Sequence, residues 1–222
     1  FSRARPMSKY VRFTCECTRP EITPFAGFAE LNAYRRKLRE LQLIGIDSNA
    51  IGFGNLSTRE DVTHNFYITG SATGGKSELT SADCVRVVAY DFERNWLRYE
   101  GSAIPSSESL THAAVYESDT KAGAVIHCHD LKLWTVLLDQ IPTSSNSVKS
   151  GTREMAHEVM RLFRVTDLHR RRILVMAGHE GGIITFGRNL EDAFTVLMDA
   201  RMESSTSVDS AFHQRTHARD ER

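Results

Sequence analysis

The sequence lacks the long apolar runs, the composition breaks and the charge excess that mark several classes of protein. None of its 222 residues belongs to an apolar stretch near the ~20 residues that a membrane-spanning helix needs. Lysine plus arginine and aspartate plus glutamate both number 28, so the balanced charge gives no electrostatic basis for binding nucleic acid or an anionic membrane. No segment rich in proline, glycine and serine divides the chain, which favours a single domain.

Cysteines are few, and nucleotide-binding motifs are missing. The four cysteines, at positions 15, 17, 84 and 128, are not spaced as a disulfide framework, so we expect a reducing, cytoplasmic setting. Cys15 and Cys17 form a CxC pair, which we interpret as structural because no second pair accompanies it. The chain contains neither GxGxxG nor a Walker loop, which leaves a nucleotide-binding role without support.

Hydrophobic periodicity predicts helices and strands that alternate irregularly. Helices are predicted over 30–43, 106–116, 131–139, 152–164 and 190–202, and strands over 65–71, 84–92, 96–101, 124–129, 173–177 and 182–187. Because hairpins and crossovers both occur, we predict an α/β fold, a single layered domain whose central mixed or antiparallel sheet is flanked by helices. This domain is placed at 30–202, between an N-terminal extension over 1–29 and a polar, loosely ordered C-terminal tail over 203–222.

Local signals add detail to the helices. In the first predicted helix, leucines form one face, and arginine, lysine and glutamate fill the other. Asp130 and Asn189 precede two predicted helices and are candidate N-caps, since aspartate and asparagine are favoured there.

Two histidines spaced two residues apart end the predicted strand over 124–129. Side chains of a strand repeat every two residues, so His127 and His129 point to the same side. Two adjacent neutral imidazoles supply half of a zinc-type coordination sphere. Alone, the pair fits two structural histidines at a strand end equally well.

A third histidine follows another predicted strand. His179 lies in a glycine-rich turn after 173–177, where a strand end can present a side chain to a cleft. Alone it would be interpreted as a surface residue; beside the HxH pair it completes three histidine ligands with one coordination position open. Three imidazoles suit Zn2+, and also Mn2+, Co2+ or Fe2+. The other histidines are interpreted as structural or solvated: His64, His112, His157, His169, His213 and His217.

Glu108 is the candidate acid or base. It is predicted in the first turn of a helix, where a glutamate often has only a structural role. Ser106 and Ser107 precede it, and hydroxyls with free N–H groups at a helix start can bind an anion such as phosphate. Two glycine-bearing loops, in which N–H groups can approach a ligand closely, add candidate substrate contacts at Asn55, Gly70, Ser71, Thr73 and Gly74.

The order of these motifs, rather than any one of them, resembles the class II aldolase/adducin family. From about Leu31 to Ala200 the chain carries GNLSTR, a loop with Thr-Gly, PSSES, HCH, GTRE and GHEGG in succession. Other HxH families fit less well. A cupin needs a glutamate where Lys132 and Leu133 stand, and a metallo-β-lactamase needs HxHxDH where this chain has HCHDLK.

The resemblance implies a divalent metal of the zinc type held by His127, His129 and His179. It implies Glu108 as the acid/base, close enough to ligate the metal when substrate is absent. The implied activity is that of an aldolase-like lyase acting on a small phosphorylated keto-sugar through a metal-stabilised enediolate, in a cyclic tetramer with the site at a subunit interface. The implied phosphate and substrate contacts are Asn55, Ser106, Ser107 and the loop after Ile68, with either Thr69-Gly70 or Thr73-Gly74 as the family's Thr-Gly pair.

The chain departs from its relatives in the residues that select the reaction. Well-known aldolases of the family use tyrosines after the HxH strand and in the C-terminal tail as proton donors, whereas the last tyrosine here is Tyr116. Sugar-phosphate epimerases use an aspartate near the position that Gly151 and Thr152 occupy. His213 in the tail is a candidate substitute donor. An epimerase, dehydratase or decarboxylase of the same fold, and a non-catalytic interaction module like the adducin heads, therefore stay open as alternatives.

Overall fold

A computed structural model describes residues 11–22, 25–61 and 63–220, with side chains as far as residue 206. Within these ranges, no helix combines the length and the apolar composition that crossing a bilayer requires. The described residues confirm the predicted α/β fold, because a large mixed sheet lies between layers of helices.

The described residues form ten strands, and eight of them make up the large sheet, with the HxH strand in its interior. In chain order the strands are β1 (Thr14–Arg19), β2 (Gly45–Ile46), β3 (Gly52–Phe53), β4 (Asn55–Arg59), β5 (Phe66–Thr69), β6 (Cys84–Asp91), β7 (Trp96–Glu100), β8 (Ala124–His129), β9 (Ile173–Val175) and β10 (Gly182–Gly187). β2 and β3 pair with each other, and the large sheet has the order β1-β7-β6-β5-β4-β8-β10-β9. β1 runs parallel to β7, and the remaining neighbours are antiparallel.

Helices cover both faces of this sheet. They are α1 (Phe28–Glu40), α2 (Ser109–Ser118), α3 (Leu131–Leu137), α4 (Arg153–Val165), α5 (Leu168–Arg171) and α6 (Leu190–Asp220). α2 and α4 share a core with Val125 of β8, whereas α1, α3 and α6 share the opposite core with Ile126. Because side chains alternate along a strand, His127 and His129 lie on the α2/α4 side with Val125.

The sequence correctly predicts the N-caps of two helices, of which α3 directly follows the HxH strand. Asp130 caps α3, its side chain accepting the N–H of Leu133 at 3.0 Å. Asn189 likewise caps α6, accepting the N–H of Asp192 at 2.8 Å. The helix that follows the HxH strand therefore begins at a cap that the sequence already indicates.

Several element boundaries differ from the sequence-based predictions, and three of these differences have a clear structural description. Within the predicted N-terminal extension, Thr14–Arg19 forms the edge strand β1, because it pairs with the distant β7. The last helix continues past its predicted end at Met202 to Asp220, through the segment predicted as a loosely ordered tail. α2 begins at Ser109 rather than Ser106, since the residues before it form a turn in which the Ser109 N–H bonds to the Ser106 carbonyl at 3.0 Å.

Candidate metal centre and its cavity

The three predicted metal ligands, which we call the histidine triad (His127, His129 and His179), converge at one end of the sheet. Their ligand nitrogens lie within 4.8 Å of one another, and the Nε2 atoms of His129 and His179 are 2.8 Å apart. β10 pairs with β8 so that Gly182 lies opposite His129, and His179 lies in the turn that leads into β10. Strand pairing thus brings together histidines that are 50 residues apart in the chain.

The triad is held in the neutral form that a metal requires. Burial lowers the pKa of His127 well below its ordinary value, and it lowers the pKa values of His129 and His179 to about 4. The His127 side chain is buried, and its Nε2 has no hydrogen-bond partner. An unpartnered buried nitrogen beside two further imidazoles fits a divalent cation, so these residues suit the group that the resemblance implies.

Glu108 lies at the start of α2, and its carboxyl is buried. This burial raises the pKa of Glu108 above its ordinary value. The Thr111 hydroxyl donates to its Oε2 at 2.9 Å, and the Ser150 hydroxyl and the Gly151 N–H also donate to the carboxyl. A buried carboxyl with a raised pKa holds its proton to a higher pH than an ordinary glutamate, and it can act as an acid with that proton and as a base after giving it up.

One cavity brings all of the predicted site residues together. It has a volume of about 320 Å³, and both the histidine triad and Glu108 line it. A concave site that gathers polar groups from distant parts of a chain is typical of small-molecule binding. The cavity is also lined by every residue predicted to contact substrate, namely Asn55, Gly70, Ser71, Thr73, Gly74, Ser106 and Ser107.

The start of α2 has fewer free donors than the sequence suggested. The Glu108 N–H donates to the Ser106 hydroxyl oxygen at 3.4 Å, and the Ser109 N–H donates to the Ser106 carbonyl at 3.0 Å. These two N–H groups are therefore engaged within the chain. The side chains of Ser106 and Ser107 line the cavity, so their hydroxyls are the better candidates for contacting a ligand.

A buried arginine fixes the glycine-rich loop of the cavity, residues 68–75, by hydrogen bonds to backbone carbonyls. Arg35 donates from Nη2 to the carbonyls of Thr73 and Lys76, both at 2.6 Å. The sequence pattern placed the arginines of α1 on a solvent face, and this one is buried because the loop carbonyls satisfy its guanidinium. A Cβ at Gly74 would lie 2.1 Å from the Gly45 carbonyl oxygen, so glycine is required at that point of the loop.

A cationic residue of the cavity was not predicted from the sequence. Arg12, which precedes β1, lines the cavity, and its positive charge acts on both Glu108 and His179. No local motif marks it, because its position depends on the pairing of β1 with β7. Ser150, which was also missed, could have been found, since it adjoins the GTRE motif that starts at Gly151.

Solved structures share this fold at low sequence identity. An L-fuculose 1-phosphate aldolase is 22% identical with a TM-score of 0.66, over 86% of this chain and 89% of that chain. The L-fuculose-1-phosphate aldolase from Thermus thermophilus is 20% identical with a TM-score of 0.61, over 84% and 95%. The sugar-phosphate aldolase from Thermotoga maritima is 16% identical with a TM-score of 0.60, over 80% and 93%.

Sequence comparison adds the family to this likeness in fold. No curated protein sequence matches the chain significantly. The sequence model of the family described as Class II Aldolase and Adducin N-terminal domain matches residues 42–202, which include the histidine triad, Glu108 and the whole glycine-rich loop. The match spans most of the chain, and the protein therefore belongs to the class II aldolase/adducin family.

Proposed function

We propose that the protein is a divalent-metal-dependent lyase that cleaves a carbon–carbon bond of a small phosphorylated keto-sugar by a retro-aldol reaction. The observation that carries the proposal is the convergence of three neutral imidazoles and one buried carboxyl on a single cavity. Membership of the class II aldolase family and the fold shared with fuculose-phosphate aldolases support this reaction class.

The histidine triad is the proposed metal site. His127, His129 and His179 would hold the cation and leave coordination positions open for substrate oxygens. A bound divalent cation supplies the Lewis acidity that stabilises negative charge developing on a carbonyl substrate. Three imidazoles suit Zn2+, Mn2+, Co2+ or Fe2+, and elemental analysis of the purified protein would distinguish these metals.

Glu108 is the group that we propose holds and moves the proton. Because burial raises its pKa, its carboxyl stays protonated to a higher pH than an ordinary glutamate. The donors from Thr111, Ser150 and Gly151 fix the orientation of the carboxyl. The proton is therefore given or taken at one place in the cavity, as acid–base catalysis requires.

The polar groups of the cavity support an anionic substrate. The hydroxyls of Ser106 and Ser107 line it together with the loop residue Gly74 and the guanidinium of Arg12. Hydroxyls and a guanidinium are groups that bind phosphate in proteins. A phosphate held by them would fix the reacting carbon relative to Glu108 without itself taking part in the chemistry.

The chain lacks the tyrosines that well-known aldolases of the family use as a second proton donor, because its last tyrosine is Tyr116. No tyrosine lies among the described residues that line the cavity. His213, the predicted substitute, lies in the part of α6 whose side chains are outside the described residues. Epimerisation, dehydration and decarboxylation would use the same metal ligands and the same carboxyl, so identification of the products is needed to separate them from cleavage.

The variant Glu108→Gln tests the proposed lyase. With a panel of ketose phosphates we expect the metal-loaded wild type to release an aldehyde, and Glu108→Gln to lower kcat by about 100-fold or more with its metal content unchanged. Glu117→Gln is the matched control, because Glu117 lies on the same helix but is exposed and outside the cavity. Undiminished turnover by Glu108→Gln would overturn the role of Glu108. A metal-loaded wild type that turns over none of the panel would favour an adducin-like interaction module.

We further propose a homo-oligomer, with the cyclic tetramer that the family resemblance implies as the expected form. Ile46 and Leu131 are each more than half exposed and are close in sequence to the cavity residues Asp47 and His129. Another subunit covering these side chains would bury their apolar surface, as contacts between subunits do. Light scattering would measure the mass in solution, and the 25.0 kDa of a single chain would contradict the proposal.

A further inference from the structure

Two buried polar atoms without partners lie on neighbouring residues of the cavity. The Asn55 Oδ1 and the His127 Nε2 have no hydrogen-bond partner, although both side chains are buried. The Asn55 Nδ2 lies 3.3 Å from the His127 Nδ1. Buried polar groups are nearly always hydrogen-bonded, so two unpartnered atoms at one contact require an explanation.

The tautomer of His127 supplies that explanation. A neutral imidazole carries a hydrogen on one nitrogen and a lone pair on the other. If the Nδ1 accepts from an amide N–H, the hydrogen of His127 is on its Nε2. That N–H then has no acceptor, and the Nε2 has no lone pair with which to bind a cation. If the Nδ1 instead carries the hydrogen, it needs an acceptor, and the Nε2 lone pair becomes available to a metal.

Rotation of the Asn55 amide by 180° provides the required acceptor. The oxygen and nitrogen of a side-chain amide have nearly the same shape, and the hydrogen-bond network decides which is which. The rotated amide places its Oδ1 against the Nδ1–H of His127, so the oxygen gains a partner and the Nε2 gains its lone pair, while the Nδ2 takes the position in which the Oδ1 had no partner. A metal-binding histidine almost always donates its second ring N–H to such an oxygen, which fixes both the tautomer and the ring orientation.

Strand pairing makes the contact a fixed one. Asn55 begins β4 and lies directly opposite His127 in the antiparallel pair of β4 and β8. The preceding Gly54 has φ +77°, and a Cβ there would lie 2.3 Å from the Ile44 Cγ2. The backbone therefore enters β4 in a conformation that favours glycine, with the Asn55 side chain against the first ligand of the triad.

We propose that Asn55 is a positioning residue of the metal centre, whose side-chain carbonyl accepts the Nδ1–H of His127 and so directs the Nε2 lone pair at the cation. This proposal rests on the proposed metal site. It differs from the substrate-binding role that the family resemblance implies for Asn55, because it predicts an effect on metal affinity when no substrate is present.

Metal affinity of the stripped protein tests the proposal. The apparent Kd for Zn2+ would be measured by competition with a chromogenic chelator for the wild type, Asn55→Ala, Asn55→Asp and Ser57→Ala. We expect Asn55→Ala to weaken binding by about 10- to 100-fold, as losses of such supporting residues do. Asn55→Asp should stay near the wild type, because a carboxylate accepts the same N–H. Ser57→Ala is the matched control, since Ser57 lies two residues along the same strand and should leave the Kd unchanged.

A spectroscopic measurement gives a second readout. In the zinc-loaded wild type, ¹⁵N–¹H correlation spectra of the histidine rings should show His127 protonated at Nδ1. A ring protonated at Nε2 would overturn the proposal. Equal Zn2+ affinity of Asn55→Ala and the wild type, or equal losses in folded Asn55→Ala and Asn55→Asp, would also overturn it. A wild type that binds no metal would instead overturn the proposed function itself.

Discussion

The histidine triad and a second polar cluster, which contains the buried His112, lie on the same side of the sheet and differ in what their histidine nitrogens face. The histidine triad lines the cavity with three imidazoles. The second group, which we call the core polar cluster, consists of Ser57, His112 and Tyr116 between β4 and α2. There the Ser57 hydroxyl bonds both the His112 Nδ1 and the Tyr116 hydroxyl at 2.7 Å.

Neutrality does not separate the two groups. Burial lowers the pKa of His112 to about 3, which is similar to its effect on His129 and His179. His112 also has an unpartnered Nε2, but it does not line the cavity, and among the described residues it belongs to no cluster of three possible metal ligands. Convergence of several nitrogens on an accessible cavity, rather than burial or an unpaired nitrogen, therefore distinguishes the proposed metal site from the core polar cluster.

The largest expected effect is the difference in Zn2+ affinity between a variant of the histidine triad and a variant of the core polar cluster. We expect His127→Ala to weaken Zn2+ binding by at least about 100-fold, since a zinc-site free energy of about 10–16 kcal/mol is shared among a few ligands. His112→Ala should leave the Kd for Zn2+ close to that of the wild type. Chelator competition measures both. Equal losses of affinity in the two folded variants would remove the distinction between the groups.

Much of the arrangement of the histidine triad could be predicted from sequence. The i, i+2 spacing at the end of an apolar strand places His127 and His129 on one side of the sheet, and the observed β8 has the predicted bounds. His179 could be predicted because a glycine-rich turn follows a buried strand. These signals are local in the sequence, so they can be recognised without knowing the order of the strands in the sheet.

The remainder depends on pairing between distant residues, which no local pattern encodes. His112 was interpreted as structural or solvated, and its full burial follows from its contact with Ser57, 55 residues away. Arg35 is buried only because a loop 38 residues later presents carbonyls to it. Arg12 reaches the cavity through the parallel pairing of β1 with β7, in a segment that we predicted as an extension.

A smaller effect should appear in the pH dependence of stability. The folded protein resists protonating His112, whereas the unfolded chain takes the proton near its ordinary pKa of 6.5. The stabilisation is therefore complete above pH 6.5 and is lost as the pH falls toward 3, by about 2 kcal/mol at pH 5. Urea unfolding of the metal-free proteins would measure this effect. Between pH 7.5 and pH 5, we expect the free energy of unfolding to fall by about 2 kcal/mol less in His112→Gln than in the wild type. Because the triad is present in both proteins, its own titration cancels, and identical pH slopes would contradict the assignment.

The smallest expected effect concerns the hydroxyl of Tyr116, and it tests whether the core polar cluster is purely structural. Tyr116→Phe removes the phenol that bonds Ser57 but keeps the buried ring, so we expect a loss of about 1 kcal/mol in the free energy of unfolding. A double-mutant cycle with Ser57→Ala isolates the pair, because Ser57 otherwise also bonds His112. The Kd for Zn2+ should not change in any variant of the cycle. If Tyr116→Phe weakened Zn2+ binding, the core polar cluster and the histidine triad would be energetically coupled through β4. The core polar cluster would then contribute to metal affinity and would not be purely structural.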